Sequence, residues 1–309
     1  MEFSALMNKM AIFVVLMLIG YFLSRNGTLD SGFTRSASKL VLNVFMVGTI
    51  LSSMISTGAE RDLSNLPEII LLTFLTTFIG YLAAFLITRF VHVTPDHSGT
   101  YEILMGVGNT MFIALPIAEA IYGAYAVFIV SLSCIPFNVF LYSYGVWRIK
   151  GNNQRGKIQI KEFFSVPLVA TMLGLVIVLL GIPVPGSIRG VLSSLSGATM
   201  PMSMIVIGAS LGSVSLLDAF KKPELALLSA VRLIVIPIIT WLICRLLTSD
   251  SALLMTCMIN AAAPSAVIIT VITIQYGKDG VFTSEAVQHS TICSIITIPL
   301  LIQIFSRFC

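Results

Sequence analysis

Ten apolar stretches follow one another along this chain, and each is close to the length that a helix needs to cross a bilayer. A spanning helix takes roughly 20 apolar residues, and in hydrocarbon only helices and closed barrels satisfy their own backbone hydrogen bonds. Mean hydropathy is +0.98 and 10% of the residues are charged, against roughly 25% in a soluble domain. The sequence therefore predicts an all-α polytopic membrane protein. The predicted spans are residues 4–24, 36–56, 67–91, 99–122, 124–147, 163–181, 190–212, 224–247, 251–276 and 284–306.

The longest polar segment, residues 148–162, divides these ten transmembrane helices into two sets of five. Because five is an odd number, the second set must cross the membrane in the opposite direction to the first. Two related sets arranged in this way form an inverted repeat, as in many secondary transporters. We predict a first five-helix repeat over residues 1–150 and a second over residues 160–309.

The lysine and arginine residues predict the orientation of the chain. If both termini are outside, 12 of the 18 basic residues fall in inside loops and 5 fall outside, which agrees with the positive-inside rule. The basic loop at residues 148–162 is then cytoplasmic, where it can meet anionic membrane lipids, although a plain topology anchor is the simpler interpretation. The net charge of +4 is accounted for by topology, so no nucleic-acid partner is predicted.

Two of the spans are interrupted at matching places in the two halves. Pro116 follows Asn109 in span four, and Pro264 follows Asn260 in span nine. Proline removes a backbone donor and breaks or kinks a helix, and freed backbone groups are tolerated at membrane depth only against protein or a water-filled cavity. Interrupted spans in corresponding positions indicate the binding site of a transporter. We therefore predict breaks in helices four and nine, with ordinary kinks as the alternative.

Several motifs of the chain resemble those of the auxin efflux carrier family, which includes plant auxin carriers and bacterial permeases for malate and related organic anions. They are Gly-Asn-Thr…Leu-Pro-Ile…Tyr-Gly at 108–123, Ala-Ala-Pro…Ala-Val…Tyr-Gly at 262–277, Ser-Thr…Ser…Pro-Leu at 290–300, and KLVLNVFMVGTIL at 39–51. The resemblance extends over essentially the whole chain. Departures occur at Val47, where the family often has proline, and at Met111 and Ala114, where it often has glycine.

The resemblance implies a fold of two inverted five-helix repeats in which helices four and nine unwind and cross. Helices within residues 4–56 and 163–212 would form a scaffold, often dimeric, so a homodimer is expected. Helices within residues 67–147 and 224–306 would form a moving transport domain. The resemblance also implies elevator-type alternating access, with an anionic substrate held where the two broken helices cross.

The predicted substrate-binding residues follow from what a broken helix exposes. Each new N-terminal helix end carries roughly half a positive charge and free N–H groups, and a buried carboxylate needs such partners. Asn109 and Asn260 can donate hydrogen bonds without adding charge, the alternative being that they only bond the unwound backbone. Pro116 and Pro264 complete the set, together with Asn43 in span two, for which a hydrogen bond to a neighbouring helix is the favoured interpretation.

Ionisable residues inside the spans are further candidates, because such residues are usually functional. Glu119 lies about one turn after Pro116 and would act as a proton carrier, an ion ligand or a structural pair. Arg232 would attract the anion or pair with Glu119. His289, beside Gln288, could titrate near neutral pH, although a hydrogen-bonded structural histidine is the favoured interpretation.

The sequence contains no HExxH, GxSxG or P-loop motif, so we predict neither an enzyme nor ATP-driven transport. The five cysteines form no CxxC pair, and no metal site or cofactor is predicted. Our hypothesis is a secondary transporter for small organic carboxylates, such as malate or auxin-like acids, in a bacterial plasma membrane. Protons are the predicted coupling ion, and sodium is the alternative. The alternative of another class is a membrane ligand sensor that does not transport.

Overall fold

The computed structural model describes residues 3–60, 64–91, 94–151, 163–212 and 220–308. Every regular element in these residues is a helix, and one isolated antiparallel bridge is the only strand-like pairing in this part of the chain. The α-helices are α1 (Phe3–Arg25), α2 (Ser31–Leu40), α3 (Met46–Glu60), α4 (Leu66–Thr88), α5 (Pro95–Gly106), α6 (Leu115–Leu132), α7 (Cys134–Phe140), α8 (Val146–Lys150), α9 (Val166–Leu179), α10 (Gly186–Gly212), α11 (Pro223–Ala230), α12 (Ile236–Arg245), α13 (Ser251–Ala261), α14 (Val267–Gln275) and α15 (Gly280–Phe305).

Four π-helical turns occur among the described residues, and each leads directly into an α-helix. They are Val41–Phe45, Thr110–Ala114, Leu141–Gly145 and Val231–Val235. A π turn inserts an extra residue into the helical repeat and is frequent at functional sites. Two of the four contain a candidate residue, Asn43 or Arg232, and a third begins directly after Asn109.

Seven helical stretches among the described residues are long and apolar enough to cross a membrane. They are Met7–Arg25, Ser31–Gly58, Leu66–Thr88, Thr110–Lys150, Gly186–Gly212, Pro223–Arg245 and Gly280–Phe305, and two shorter apolar helices are Val166–Leu179 and Ser251–Ala261. The all-helical, multi-pass class is thus confirmed, whereas the ten-helix inverted repeat stays a prediction. Thr110–Lys150 spans most of two predicted helices, which are separated by a non-helical Gly123 with φ of 69°. Most of the predicted basic loop, residues 152–162, lies outside the described residues.

The chain divides into two compact units. Unit one comprises Met1–Ile69, Met111–Cys134 and Ser165–Ser215, and unit two comprises Ile70–Thr110, Ile135–Phe164 and Leu216–Cys309. Within unit one, α1 packs along α10 with its backbone in direct contact. A Cβ atom at Gly20 would overlap the carbonyl oxygen of Ile205, and one at Gly208 would overlap that of Met17. Small residues let helices approach closely in membranes, which explains this contact.

The core of unit two is built by α4, α5, α8 and the helices from α11 to α15. Its buried side chains include Tyr101, Ile103, Leu104, Leu225, Leu228, Ile236, Ile269 and Phe282. The starts of α13 and α15 are fixed by aspartate caps, because Asp250 accepts from the N–H groups of two residues of the first turn and Asp279 does the same for α15.

Candidate functional site

Two helix interruptions of unit two pair with each other. α5 ends at Gly106 and is followed by three non-helical residues, 107–109, here called break one. α13 ends at Ala261, and residues 262–266, here called break two, precede α14. Gly108 and Ser265 form an antiparallel bridge. The Asn109 N–H donates to the Pro264 carbonyl at 2.6 Å, and the Ala266 N–H donates to the Val107 carbonyl at 3.1 Å.

The local sequence explains why the chain leaves the helix at both places. In break one, Gly108 lies against the guanidinium of Arg232, and a Cβ atom at this position would overlap Nη2 of that side chain. In break two, Pro264 lacks an N–H group and disfavours helical backbone at the residue before it. The backbone of break one is therefore determined by the limited space beside Arg232, and that of break two by the missing N–H group of Pro264.

Ser265 ties break two to two other elements. Its N–H donates to Oγ of Ser290 in α15 at 3.1 Å, and its own hydroxyl donates to the Leu104 carbonyl in α5 at 2.8 Å. Both serines are completely buried. Because unpaired buried polar groups are costly, these bonds hold the non-helical backbone in one arrangement.

Arg232 binds the carbonyl of Gly106, the last residue of α5, and a carbonyl of break two, two residues after the end of α13. Its Nε donates to the Ala263 carbonyl at 2.7 Å and its Nη1 donates to the Gly106 carbonyl at 3.0 Å, and the side chain is 3% exposed. The residues that the structure describes place no carboxylate within salt-bridge distance of it. Each helix C-terminus carries roughly half a negative charge, so the ends of α5 and α13 together offset about one positive charge. Arg232 is thus a shared C-terminal cap.

Two asparagine amides at the paired breaks keep unused donors. Oδ1 of Asn260 accepts from the Thr110 hydroxyl at 2.8 Å, which leaves its Nδ2 group without a hydrogen bond among the described residues. The side chain of Asn109 makes no hydrogen bond with any residue that the structure describes. Asn109 is 6% exposed and Asn260 is 8% exposed. Nearly buried amides without protein partners are suited to a polar ligand, because leaving them unpaired costs free energy.

The N-terminus of α14 adds a further set of donors. This helix begins at Val267, directly after break two, and no side chain caps it. An uncapped helix N-terminus presents free N–H groups and a partial positive charge, which together favour an anion. Ala266, which precedes it, is hydrogen-bonded to Val107. The free helix end therefore lies beside break one.

Two other candidates of unit two lie in α15, next to Ser290. His289 Nδ1 is hydrogen-bonded to the Ser229 hydroxyl at 2.7 Å, and its ring centre lies 4.5 Å from that of Phe220. Nε2 of Gln288 donates to the Ser284 hydroxyl at 3.3 Å, while its Oε1 is buried and has no partner among the described residues. These contacts give His289 a hydrogen-bonded structural environment.

The candidates of unit one have other surroundings. Pro116 is the second residue of α6, which continues from the π turn Thr110–Ala114 without leaving helical backbone, so the interruption lies at residues 107–109 and not at the proline. Oε1 of Glu119 accepts from the Ser196 hydroxyl at 3.1 Å, and Lys9 donates to the carbonyl of Ala120. Asn43 is exposed and makes no hydrogen bond with the residues described.

Three residues with clear roles at the paired breaks were not predicted from the sequence: Thr110, Ser265 and Ser290. A buried carboxylate in α5, Glu102, was also missed, and the rule that ionisable residues inside spans are functional would have found it. Lys222, just before the span that begins at Pro223, donates to Glu285 of α15, and this bond raises the pKa of the lysine.

The fold is that of a multi-pass membrane protein, and comparison with known proteins identifies its class. The family model for membrane transport proteins matches residues 5–302. The chain belongs to this family, the auxin efflux carrier family, as its motifs predicted.

Its relatives are full-length matches. It is similar to an uncharacterized transporter of Methanothermobacter thermautotrophicus, with 25% identity over 93% of this chain and 94% of the relative. The uncharacterized transporter MJ1031 of Methanocaldococcus jannaschii is 26% identical over 95% and 97% of the two chains. The uncharacterized transporter YfdV of Escherichia coli K12 is 22% identical over 94% and 95%.

Proposed function

We propose that this chain is a secondary active transporter of small organic carboxylate anions, such as malate or auxin-like acids, and that the paired breaks bind the substrate. The observation that carries the proposal is the set of unused donors there: the Asn109 amide, Nδ2 of Asn260 and the uncapped N-terminus of α14. All of them are N–H groups. A carboxylate has acceptors only, so it is the complementary ligand.

The charge balance at the breaks favours binding that can be reversed. A buried ion that meets an opposite full charge is held tightly, whereas neutral amides and a helix end supply weaker attraction. The charge of Arg232 is already offset by the two carbonyls that it binds. The anion therefore meets a moderately positive site from which it can leave, as a transport cycle requires.

The transport cycle that we propose is elevator-type alternating access. In it, the helices within residues 67–147 and 224–306 move as a transport domain, and those within 4–56 and 163–212 form the scaffold of a homodimer. Residues 111–134 pack in unit one in this structure, so the proposed motion requires them to exchange those contacts. Protons are the proposed coupling ion, with Glu119 as the candidate carrier, and sodium is the alternative. We place the protein in a bacterial plasma membrane with both termini outside and residues 148–162 in the cytoplasm.

Uptake by proteoliposomes tests the proposal. Labelled malate and a panel of small carboxylates are offered with an imposed pH gradient, a sodium gradient or neither. We expect accumulation against a concentration gradient only when the pH gradient is present. Asn109→Ala should lower the uptake of the best substrate about 10- to 100-fold, since a hydrogen bond to a charged group contributes about 1.5–3 kcal/mol.

Asn26→Ala is the matched control, because Asn26 is exposed and lies in the turn after α1. It should transport like the unaltered protein. Accumulation driven by a sodium gradient alone would identify sodium, and not the proton, as the coupling ion. Saturable binding without flux under any gradient would identify a ligand sensor instead, and equal transport by Asn109→Ala and the unaltered protein would remove the substrate from the paired breaks.

A further inference from the structure

A cavity of about 440 Å³ in unit two lies away from the paired breaks. Its basic and aromatic lining comes from the end of α4 and the residue after it, and from α8 and the π turn before it. Both helices end apolar stretches. The lining side chains are Phe85, Thr88, Arg89, Ser98, Glu102, Tyr144, Trp147 and Arg148. Two arginines and an exposed tryptophan at the ends of membrane-spanning helices are typical of the lipid–water boundary.

The carboxylate in the cavity positions one of the two arginines. Glu102 is 1% exposed, and its Oε2 accepts from Arg148 Nε at 3.0 Å and from Nη2 at 2.5 Å. Its other oxygen accepts from the Tyr144 hydroxyl. The charge of Glu102 is therefore used within the protein. Nη1 of Arg148 keeps its donors, because no described residue accepts from it.

The second arginine provides an uncompensated charge. The guanidinium of Arg89 lies 4.2 Å above the ring of Phe85, and none of the carboxylates that the structure describes pairs with it. Stacking on an aromatic ring leaves all the N–H groups at the edge of the guanidinium available. The lining thus carries two arginines against one carboxylate, with the hydroxyls of Thr88 and Ser98 beside them.

We propose that this cavity binds the headgroup of an anionic phospholipid, with the phosphodiester between Arg89 and Nη1 of Arg148. Arginine favours phosphate because its planar donors match two oxygens at once. The volume is far larger than a free phosphate needs and lies in the range of organic ligand sites. Trp147, which is 58% exposed, provides an amphipathic wall of the kind found at the headgroup level.

The position of the cavity favours a lipid over a soluble anion. On the orientation predicted from the basic residues, Arg89 and Arg148 face the cytoplasmic leaflet, which is where anionic lipids attract basic side chains. Glu102 also lies one turn before Gly106, the last residue of α5. A bound headgroup would therefore act on the helix that leads into break one.

Quenching of Trp147 fluorescence by brominated lipids tests the site independently of transport. The chain has two tryptophans, so Trp241→Phe leaves Trp147 as the single reporter. The full-length variant is reconstituted in vesicles that contain either brominated phosphatidylglycerol or brominated phosphatidylcholine with the same acyl chains. We expect markedly stronger quenching by phosphatidylglycerol at equal lipid content.

Variants at Arg89 supply the contrast. In the Trp241→Phe background, Arg89→Gln should lower the apparent affinity for phosphatidylglycerol about 5-fold or more, the attraction expected of one basic residue at a membrane surface. Arg89→Lys should keep most of the preference, because it keeps the charge. Arg25→Gln is the matched control, since Arg25, like Arg89, lies at the end of a spanning helix but does not line the cavity.

Three results would overturn the proposal. They are equal quenching by the two lipids, loss of the preference in Arg25→Gln as much as in Arg89→Gln, and abolition of the preference by millimolar inorganic phosphate or malate. The last result would assign the cavity to small soluble anions. If Arg89→Gln does not elute as a single species, Arg89→Lys takes its place. A retained preference for phosphatidylglycerol in Arg89→Lys supports the site, and a complete loss of that preference contradicts the role of charge.

Discussion

Break one and break two solve the same backbone problem with different residues. Break one is a short glycine-containing segment, and the α-helix that follows it begins only at Leu115, after a π turn. Break two contains a proline, and α14 begins directly after it. Yet a carbonyl at or just after the end of each preceding helix, that of Gly106 or that of Ala263, accepts from the same side chain, Arg232. The feature that the two breaks share is therefore a helix end and its cap, and not a sequence motif.

This difference has a physical origin. The planar guanidinium carries five N–H donors in a fixed fork, so one arginine can serve carbonyls from two chain segments that lie side by side. Break one must then leave room for the fork, which requires glycine at residue 108. Break two only has to end its helix, which proline does without further help. Substitutions can test the two requirements separately.

The largest effect is expected for Arg232→Met, which removes the cap from both breaks. Two buried carbonyls lose their donors at about 1–3 kcal/mol each, so we expect a destabilisation of about 2–6 kcal/mol. Arg232→Lys should fall between this variant and the unaltered protein, because one ammonium cannot match the fork. The stability of both variants is measured by heating the purified protein in detergent and monitoring the folded fraction by size-exclusion chromatography.

Arg245→Lys is the control for Arg232, since Arg245 is exposed and lies over the ring of Trp241. Its unfolding should differ little from that of the unaltered protein. If Arg232→Met unfolds at the same temperature as Arg245→Lys, the carbonyls find other donors and the two breaks do not share a cap.

An effect of about 2 kcal/mol is expected for Gly108→Ala, which tests break one alone. The added methyl group would overlap Nη2 of Arg232 and lie 3.2 Å from Cβ of Ala263. Overpacking of this kind costs about 1–3 kcal/mol. Thermal unfolding measures the loss, and transport should fall with it because Asn109 is the next residue.

The stability of two other glycine-to-alanine variants provides the reference for Gly108→Ala. A methyl group at Gly106 would lie 3.2 Å from the carbonyl oxygen of Gly80, so Gly106→Ala should cost less. Gly190 in α10 has no atom within 4 Å of its Cβ position, and Gly190→Ala should be neutral or slightly stabilising. Equal stability of all three variants would show that break one does not depend on the space at residue 108.

The sequence predicted the membrane class and the family correctly, because they depend on composition and on ordered motifs. The predicted break at Pro264 coincides with break two, whereas the crossing of two broken helices stays a prediction. The sequence placed the first break too close to Pro116. Pro116 lies within a helix that continues from the π turn Thr110–Ala114, and nothing in the local sequence distinguishes such a proline from one at a break. The glycine requirement at residue 108 appears only when the arginine from another span is in place.

The hydrogen-bond partners of Arg232 could not be predicted from the sequence either. From the sequence alone, an arginine inside a span predicts an anion or a carboxylate as its partner. Backbone carbonyls become free only where helices end, so they can be recognised as partners only after the ends of α5 and α13 are known. The same holds for the Thr110–Asn260 and Ser265–Ser290 hydrogen bonds, which join residues far apart in the chain.

The smallest effect is the difference between two proline variants, and it tests whether the prolines have different roles. Pro116→Ala and Pro264→Ala both make the unfolded chain more flexible and lose a similar amount of stability, about 0.4–1 kcal/mol. Pro264→Ala also introduces a new N–H into a nearly buried segment, which costs about 1 kcal/mol more if it finds no acceptor. We therefore expect Pro264→Ala to unfold at a lower temperature than Pro116→Ala. Equal unfolding temperatures would mean that break two, like break one, depends on its neighbours and not on its proline.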